Sequence, residues 1–235
     1  LAGSSPVSSA MNKKSIRVIK KKLILEIETL KDENGLIQAG FPHFNRFFGR
    51  DSLITSWQLL SLRPDICRKT LEALSKLQGK KIDKISEEEP GKIIHETDWK
   101  LKWHPKIKGF PFPNYYSVDS TPLFVIVFSL YFQKTKDQAF LRKYWKHILA
   151  SLSWMENYGD FDRDLFLEYQ RKNPHGLFHQ GWKDSTKNIF QITPPIALIE
   201  AQGYQYRALK EGVKLAAIFG KKILARKLLQ RAKTL

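Results

Sequence analysis

The sequence predicts an all-α fold built from antiparallel helical hairpins, and three observations support this prediction. Apolar residues recur with helical periodicity in six segments after residue 50. Strand signals are weak along the whole chain of 235 residues. Short connections alternate with long ones, and in helical bundles short connections join antiparallel neighbours. The six helices are therefore expected to pair as three hairpins.

The first hairpin pairs a helix over about 51–62 with a helix over about 64–78. Asp51 or Ser52 suits the N-cap of the first of these helices, because a side-chain oxygen there accepts a backbone N–H bond. Gly79 follows the second helix, as glycine commonly does at a helix C-terminus.

The second hairpin pairs helices over about 118–133 and 137–158, and the third pairs helices over about 194–219 and 221–232. The helix over 118–133 is apolar nearly all round, which predicts that it is buried. Residues 16–30 fit either a further helix or an extended connector.

The net charge of +17 lies in peripheral segments. Segments 12–22, 134–147 and 209–235 account for the whole excess, and the remaining residues carry no net charge. We expect residues 1–22 to form a flexible basic arm and residues 23–235 to form the helical domain. Basic ends can bind polyanions, but a solvated helix face is the commoner explanation, so a nucleic-acid partner is disfavoured.

The chain carries no signal for a membrane or an oxidising compartment. Its longest apolar stretch is shorter than the roughly 20 residues of a membrane-spanning helix. The single cysteine, Cys67, excludes an internal disulfide framework, and the N-terminus has no secretory h-region. We expect a cytoplasmic protein without a membrane partner.

Three long connections are expected to lie on one rim of the helical array. In an up-down array alternate connections emerge at the same end, so 31–50, 79–117 and 159–193 share a rim and the short turns share the other. Long ordered connections are typical of binding or catalytic sites, and these are rich in aromatic residues.

Several common chemistries have no motif here. The chain contains no G-x-G fingerprint, no P-loop, no G-x-S-x-G elbow and no H-E-x-x-H. His175 and His179 are four residues apart, but they lie in a loop that contains glycine and proline. No cofactor and no metal site is predicted.

The rim combines carboxylates with aromatic rings, amides and arginine, which is the combination that binds sugars. Carboxylates and arginine hydrogen-bond vicinal hydroxyls, and aromatic faces stack on the C–H side of a pyranose ring. Glycosidic cleavage needs one carboxylic acid to protonate the leaving oxygen and one carboxylate to activate water or to attack. The composition permits a glycosidase without identifying one.

Five segments occur in order and carry a more specific signal. They are AGFPHFNRFFGRDSLIT (39–55), LQGKKIDKISEEEPGKIIHE (77–96), YYSVDSTPLF (115–124), LFLEYQRKNPHGLFHQGWKDS (165–185) and PPIALIEAQGYQYRAL (194–209). Over about 23–219 the chain resembles bacterial amylo-α-1,6-glucosidases of the glycogen-debranching type. These belong to the (α/α)6-toroid glycosidases, which include glucoamylase and trehalase.

The resemblance implies roles for individual residues. In GRDS, Arg50 and Asp51 are implied to hold the outer hydroxyls of the non-reducing-end glucose. In GWKDS, Asp184 is implied to be the proton donor and Trp182 part of the sugar platform, with Lys183 also in the substrate-binding segment. An acid at Asp184 needs a raised pKa, so Lys183 is expected to point elsewhere. Without the resemblance, Asp184 fits an Asx turn equally well.

Further positions in the matching segments are implied to bind substrate: Glu89, His95, Glu96, Tyr116, Asp119, Glu200 and Gln202. Asp119 equally suits the N-cap of the helix over 118–133. The implied substrate is an α-glucan oligosaccharide or polysaccharide of the glycogen or maltodextrin type, cut at an α-1,6 bond with inversion.

The chain departs from the resembled family in the number of hairpins. An (α/α)6 toroid has six hairpins and three are predicted here, so about half of the ring and the second catalytic carboxylate are expected elsewhere. We expect a fragment, a truncated gene product or a chain that closes the ring with a second chain, inactive as given. A non-catalytic carbohydrate-binding remnant and, less favoured, a polyanion-binding helical protein remain as alternatives.

Overall fold

The computed structural model describes residues 13–40 and 42–235. The helices in these residues are α1 (Lys13–Thr29), α2 (Gly49–Leu59), α3 (Pro64–Leu77), α4 (Ser120–Thr135), α5 (Gln138–Asn157), α6 (Ile199–Ile218) and α7 (Lys222–Thr234). Four two-residue strands accompany them: β1 (Phe47–Phe48), β2 (Glu96–Thr97), β3 (Glu168–Tyr169) and β4 (Ile196–Ala197). Among the described residues, no helix has both the length and the apolar character needed to cross a membrane. The predicted all-α class is confirmed.

The last six helices form three hairpins, as predicted. The hairpins lie in two layers. Helices α2, α4 and α6 make one layer with α4 in the middle, and each packs against the following helix, α3, α5 or α7. Helices α5 and α7 are joined by Arg231 Nη2 of α7, which donates to the carbonyl of Met155 in α5 at 3.2 Å. Trp145 of α5 stacks on Phe219, the residue that follows α6, at 4.4 Å between ring centroids.

Helix α4 forms the centre of the core, which confirms its predicted burial. Its residues from Ser120 to Ser129 are all buried, because it contacts helices on several sides. Phe128 stacks on Phe140 of α5 with ring centroids 5.3 Å apart. Burying one such ring contributes about 1.5–3 kcal/mol, so α4 holds the two layers together.

Two helix starts differ from the prediction. Helix α2 begins at Gly49 with Phe48 as N-cap, so the N-cap prediction for Asp51 and Ser52 is wrong. Glycine is required at position 49, because a Cβ would overlap the carbonyl oxygen of Ile94. Helix α6 begins five residues later than predicted, at Ile199, because the preceding residues pair with β3 as strand β4.

The N-terminal region is helical where the structure describes it. Helix α1 (Lys13–Thr29) settles the choice left open for residues 16–30. The predicted boundary of the basic arm, at residue 22, falls within α1, and residues 1–12 lie outside the described residues. The division into an arm and a domain stays a prediction.

The long connections meet at one end of the helices. Strand β1 precedes α2 and pairs with β2 of the second long connection, while β4 precedes α6 and pairs with β3 of the third. The backbone N–H of Val118 donates to the carbonyl of Gln180 at 3.1 Å, which joins the second and third connections directly. The predicted common rim is present.

Candidate active site

A cavity of about 420 Å³ opens at the rim where the long connections meet. This volume falls in the range of small-molecule sites. Six residues singled out from the sequence line the cavity: Arg50, Asp51, His95, Glu96, Trp182 and Asp184. The structure therefore brings together residues from α2, from the second long connection and from the third.

Arg50 links two carboxylates at this cavity. It lies in the first turn of α2 and is 3% exposed. Its Nε donates to Asp119 Oδ2 at 2.8 Å, and its Nη1 donates to Asp184 Oδ2 at 3.1 Å. Its Nη2 is buried and finds no acceptor among the described residues. The planar guanidinium therefore has hydrogen-bonding capacity left over.

Asp119 orients Arg50 from below the cavity. Its carboxylate is fully buried, accepts a bond from Ser117 Oγ at 2.7 Å through Oδ1, and is not part of the cavity lining. It occupies the N-cap position of α4 as one interpretation predicted, but its side chain makes no capping bond. The contact of Asp119 with the cavity runs through Arg50, and the substrate role that the resemblance implies for Asp119 stays a prediction.

The environment of Asp184 holds its pKa above the ordinary value. Burial raises the pKa, the charge and hydrogen bond of Arg50 oppose this rise, and the negative charge of Asp119 adds to it. Lys183 does not line the cavity, and its Nζ lies 5.6 Å from the ring centroid of Phe190. The ammonium of Lys183 thus lies toward Phe190, as expected for a lysine directed away from Asp184, and its implied substrate contact stays a prediction.

Two further carboxyls of the cavity have raised pKa values. Burial is the largest cause for both Asp51 and Glu96, and the negative charge of Asp184 contributes to each. The pKa of Glu96 rises to about 7 although Arg46 Nε lies 2.9 Å from its Oε2. Carboxyls that can hold a proton near neutral pH are suited to acid catalysis.

An imidazole and an indole complete the wall. Burial and the positive charges of Arg50 and Arg46 keep the pKa of His95 well below its usual range, so this ring is neutral at pH 7. Trp182 is 50% exposed, and its ring centroid lies 5.6 Å from the guanidinium carbon of Arg50. Its indole N–H donates to Tyr204 Oη at 3.3 Å. An anchored, half-exposed indole can serve as a platform for a sugar ring.

Glu89 and Tyr116 lie outside the cavity lining and have structural contacts instead. Glu89 accepts a bond from Trp154 Nε1 at 2.8 Å and pairs with Lys172. The Tyr116 ring is fully buried against Phe110, and its hydroxyl accepts a bond from Asn173 at 2.8 Å. Both connect the second and third long connections, so the structure gives them scaffold contacts, and the substrate contacts that the resemblance implies for them stay predictions.

Gln202 and Glu200 also lie outside the cavity lining. The side chain of Gln202 accepts from the N–H of Leu167 at 2.7 Å and donates to its carbonyl at 2.8 Å. This pair fastens the third connection to the start of α6. Glu200 is half-buried in the first turn of α6, where the helix dipole stabilises its negative charge.

The sequence analysis missed part of the lining. The missed residues include Arg46, Phe48, His104, Phe110 and Leu177. Arg46 lies in the same segment as Arg50, four residues earlier. An arginine so close to a predicted substrate-binding residue indicates a second residue of the same site. The apolar members carried no such signal, because aromatic and aliphatic residues in a long loop are as often core as site.

A separate group of carboxylates lies on the third connection. The oxygens of Asp160, Asp162 and Asp164 lie within 4.8 Å of one another, a spacing that could hold a cation. Asp160 already pairs with Arg231 of α7 at 3.3 Å. Exposed acidic clusters are common without an ion, so we assign no metal to this group.

Comparisons with known proteins show the fold. No protein-family model matches the chain, and no curated protein sequence matches it. The chain is similar in structure to a rhamnosidase from Klebsiella oxytoca with rhamnose bound, with a TM-score of 0.57 and 17% sequence identity. The match covers 99% of this chain and 39% of the rhamnosidase chain, so the chain spans about two fifths of that protein's length. The helical fold of the described residues is thus shared with part of a solved rhamnosidase structure, while membership of the amylo-α-1,6-glucosidase family stays a prediction.

Proposed function

We propose that the chain is part of a glycoside hydrolase that acts on α-glucosidic bonds of glycogen- or maltodextrin-type substrates. The observation that carries this proposal is the buried Arg50, which contacts the carboxylates of Asp119 and Asp184 beside the exposed ring of Trp182. Charged hydrogen-bonding groups next to an aromatic platform suit a polyhydroxylated ring. The structural likeness to a rhamnosidase supports this class of chemistry.

In the proposed binding mode, the sugar completes the hydrogen bonds that the cavity leaves open. Arg50 donates to a ring hydroxyl from the cavity wall, and Asp51 accepts from a neighbouring one. Trp182 covers the C–H face of the ring. Charge-assisted bonds in a partly dry cavity are stronger than bonds in water, which would offset the dehydration of the sugar.

In the proposed reaction, Asp184 protonates the glycosidic oxygen of the leaving group. Burial and the charge of Asp119 favour its protonated form. Inversion further requires a carboxylate base about 6.5–9.5 Å from the acid, with room for the attacking water. We propose that this base is a residue outside the 235 residues. We then expect this chain to bind sugar. We expect turnover of substrate only by a protein that also supplies the base.

The Arg50–Asp184 ion pair also favours a second candidate, carbohydrate binding without hydrolysis. Arg50 stabilises the ionised form of Asp184 and thereby opposes its use as an acid. In this alternative both groups only hold hydroxyls. The two candidates share the ligand and differ in whether a bond breaks.

The test is an assay of the full-length protein on isomaltose, panose and an aryl α-L-rhamnoside. The proposal expects glucose from the α-1,6-linked substrates, released first as the β-anomer when followed by proton NMR. Saturable binding of isomaltose without released sugar would favour the second candidate. Release of rhamnose alone would reject the glucoside assignment, and an absence of both binding and turnover would reject a sugar site altogether.

A further inference from the structure

A second polar cleft adjoins the candidate active site. It has a volume of about 230 Å³ and is lined by residues of the first and second long connections. Arg46 lines both this cleft and the cavity that holds Arg50. The two depressions therefore share a wall residue, and a chain-like ligand that spans both would pass Arg46.

Trp99 is the prominent feature of the second cleft. Its ring is 44% exposed, comparable to the 50% of Trp182, so it offers a large apolar area to a ligand. Two contacts fix it: the indole N–H donates to Asp32 Oδ2 at 3.0 Å, and the ring stacks on Phe47 with centroids 5.9 Å apart and planes 27° apart. An exposed indole held in one orientation resembles the arrangement of Trp182 at the cavity.

The polar groups around Trp99 suit a neutral ligand rich in hydroxyls. The carboxylates of Asp32, Glu33 and Asp98 line the cleft together with the ammonium of Lys100. Lys100 Nζ lies 3.4 Å from Glu33 Oε2, so much of the charge is already compensated. Amide groups of Gln38 and Asn45 complete the lining, which offers both donors and acceptors.

Trp99 also lines a further cleft of about 380 Å³, beside α3. Here its neighbours include Asn34, Lys69 and Glu72, which are again polar groups that can exchange hydrogen bonds with hydroxyls. The exposed indole thus borders two depressions, and the one beside α3 also has the apolar side chains of Leu36, Ala73 and Leu77 in its lining. A path of this kind accommodates successive units of a chain better than it does one small molecule.

We propose that Trp99 and its two clefts bind the distal units of a neutral glycan chain whose first unit lies in the Arg50 cavity. This inference rests on the proposed function and narrows its substrate class to oligosaccharides of several pyranose units. Trp99 supplies the stacking surface for a distal ring, and Asp32 positions Trp99. Affinity should therefore rise with chain length.

The experiment is a calorimetric titration of the chain with maltose and with maltoheptaose. The wild type should bind maltoheptaose more tightly than maltose. Trp99→Ala should weaken maltoheptaose binding by about tenfold, the size of one lost aromatic contact, and change maltose binding less than about twofold. Trp103→Ala is the matched control, because Trp103 lies in the same loop, is 54% exposed and lines neither cleft.

Two further variants keep the test decisive. Trp99→Phe retains an aromatic ring but loses the bond to Asp32, so it should show an intermediate loss even where Trp99→Ala lowers the melting temperature. Trp182→Ala should weaken both sugars alike, which reports on the cavity alone. If Trp182→Ala weakens binding while Trp99→Ala does not, or weakens both sugars equally, the second cleft is rejected and the proposed function stands. If the wild type binds neither sugar, both are rejected.

Discussion

Two clusters of charged side chains, each with buried and more exposed members, lie under the same rim and are satisfied to different degrees. The cavity cluster consists of Arg50, Asp51, Glu96 and Asp184. The anchor cluster consists of Glu87, Glu89, Lys92 and Lys172. Both draw on the second and third long connections or on residues beside them, so burial and loop origin alone do not separate them.

In the anchor cluster, the carboxylates are saturated with donors. Glu87 accepts bonds from the backbone N–H of Lys172 and the side chain of Gln180, each at 2.7 Å. Burial opposes ionisation of Glu89, but the charges of Lys92 and Lys172 outweigh it and lower the pKa of Glu89. This pattern is typical of a scaffold that ties loops together.

In the cavity cluster, the carboxyls have raised pKa values and the arginine is incompletely bonded. Burial raises the pKa of Asp51, Glu96 and Asp184, and Arg50 keeps a buried N–H without an acceptor among the described residues. Perturbed pKa values and unsatisfied hydrogen-bonding groups in a cavity are typical of sites that bind a ligand. The two clusters therefore differ in how their carboxyls are bonded, which favours the cavity cluster as the ligand site.

The largest expected effect concerns Asp184. In the full-length protein, Asp184→Asn should lower kcat on isomaltose at least about 100-fold, because general acid catalysis typically contributes 10²–10⁴. Lys183→Ala is the adjacent control, since its ammonium lies over Phe190 and outside the cavity. Equal rates for wild type and Asp184→Asn would remove Asp184 from the acid role.

The next effect tests the anchor cluster. Glu89→Gln should lower the free energy of unfolding at pH 7 by about 3 kcal/mol, because it leaves the buried ammonium of Lys92 with less counter-charge. Glu72→Gln, at a partly exposed position of α3, should cost about 0.5 kcal/mol or less although it also loses an ion pair, with Arg68. Urea denaturation measures both. Similar losses for the two variants would mean that the anchor cluster is not a scaffold.

Substitution of Glu96 is expected to change the free energy of unfolding in the opposite direction to substitution of Glu89. Its pKa rises to about 7 in the folded protein, so the folded state holds the proton more tightly than the unfolded state. Ionisation of Glu96 therefore reduces stability progressively as pH rises from about 4.5 to about 7. Glu96→Gln removes this loss, so its unfolding free energy relative to wild type should rise by up to about 3 kcal/mol between pH 4.5 and pH 8. A difference that does not change with pH would contradict the raised pKa.

Local patterns predicted the helices well and the loop contacts poorly. Periodicity located α4 and its burial, because an apolar helix has few alternatives to the core. The start of α6 was missed because Ile196 and Ala197 pair with residues of a distant loop. Periodicity within one segment carries no information about such a partner.

The site was predicted in part for a related reason. The order of motifs brought Arg50 and Asp184 to one cavity, 134 positions apart in the chain. It did not separate Glu96, which lines the cavity, from Glu89, which binds Trp154 and Lys172. That choice depends on the direction of a side chain in a long loop, which residue type and spacing do not determine.

The central claim is that Arg50 holds a sugar in the cavity. Calorimetric titration of the chain with maltose tests it directly, using Arg50→Lys, which keeps the charge and loses the planar fork. The account predicts saturable binding by the wild type that weakens by about tenfold or more in Arg50→Lys. Arg231 lies on α7 and pairs with Asp160. Arg231→Lys should leave the affinity unchanged. Equal affinities for wild type and Arg50→Lys, or no binding by the wild type, would contradict the account.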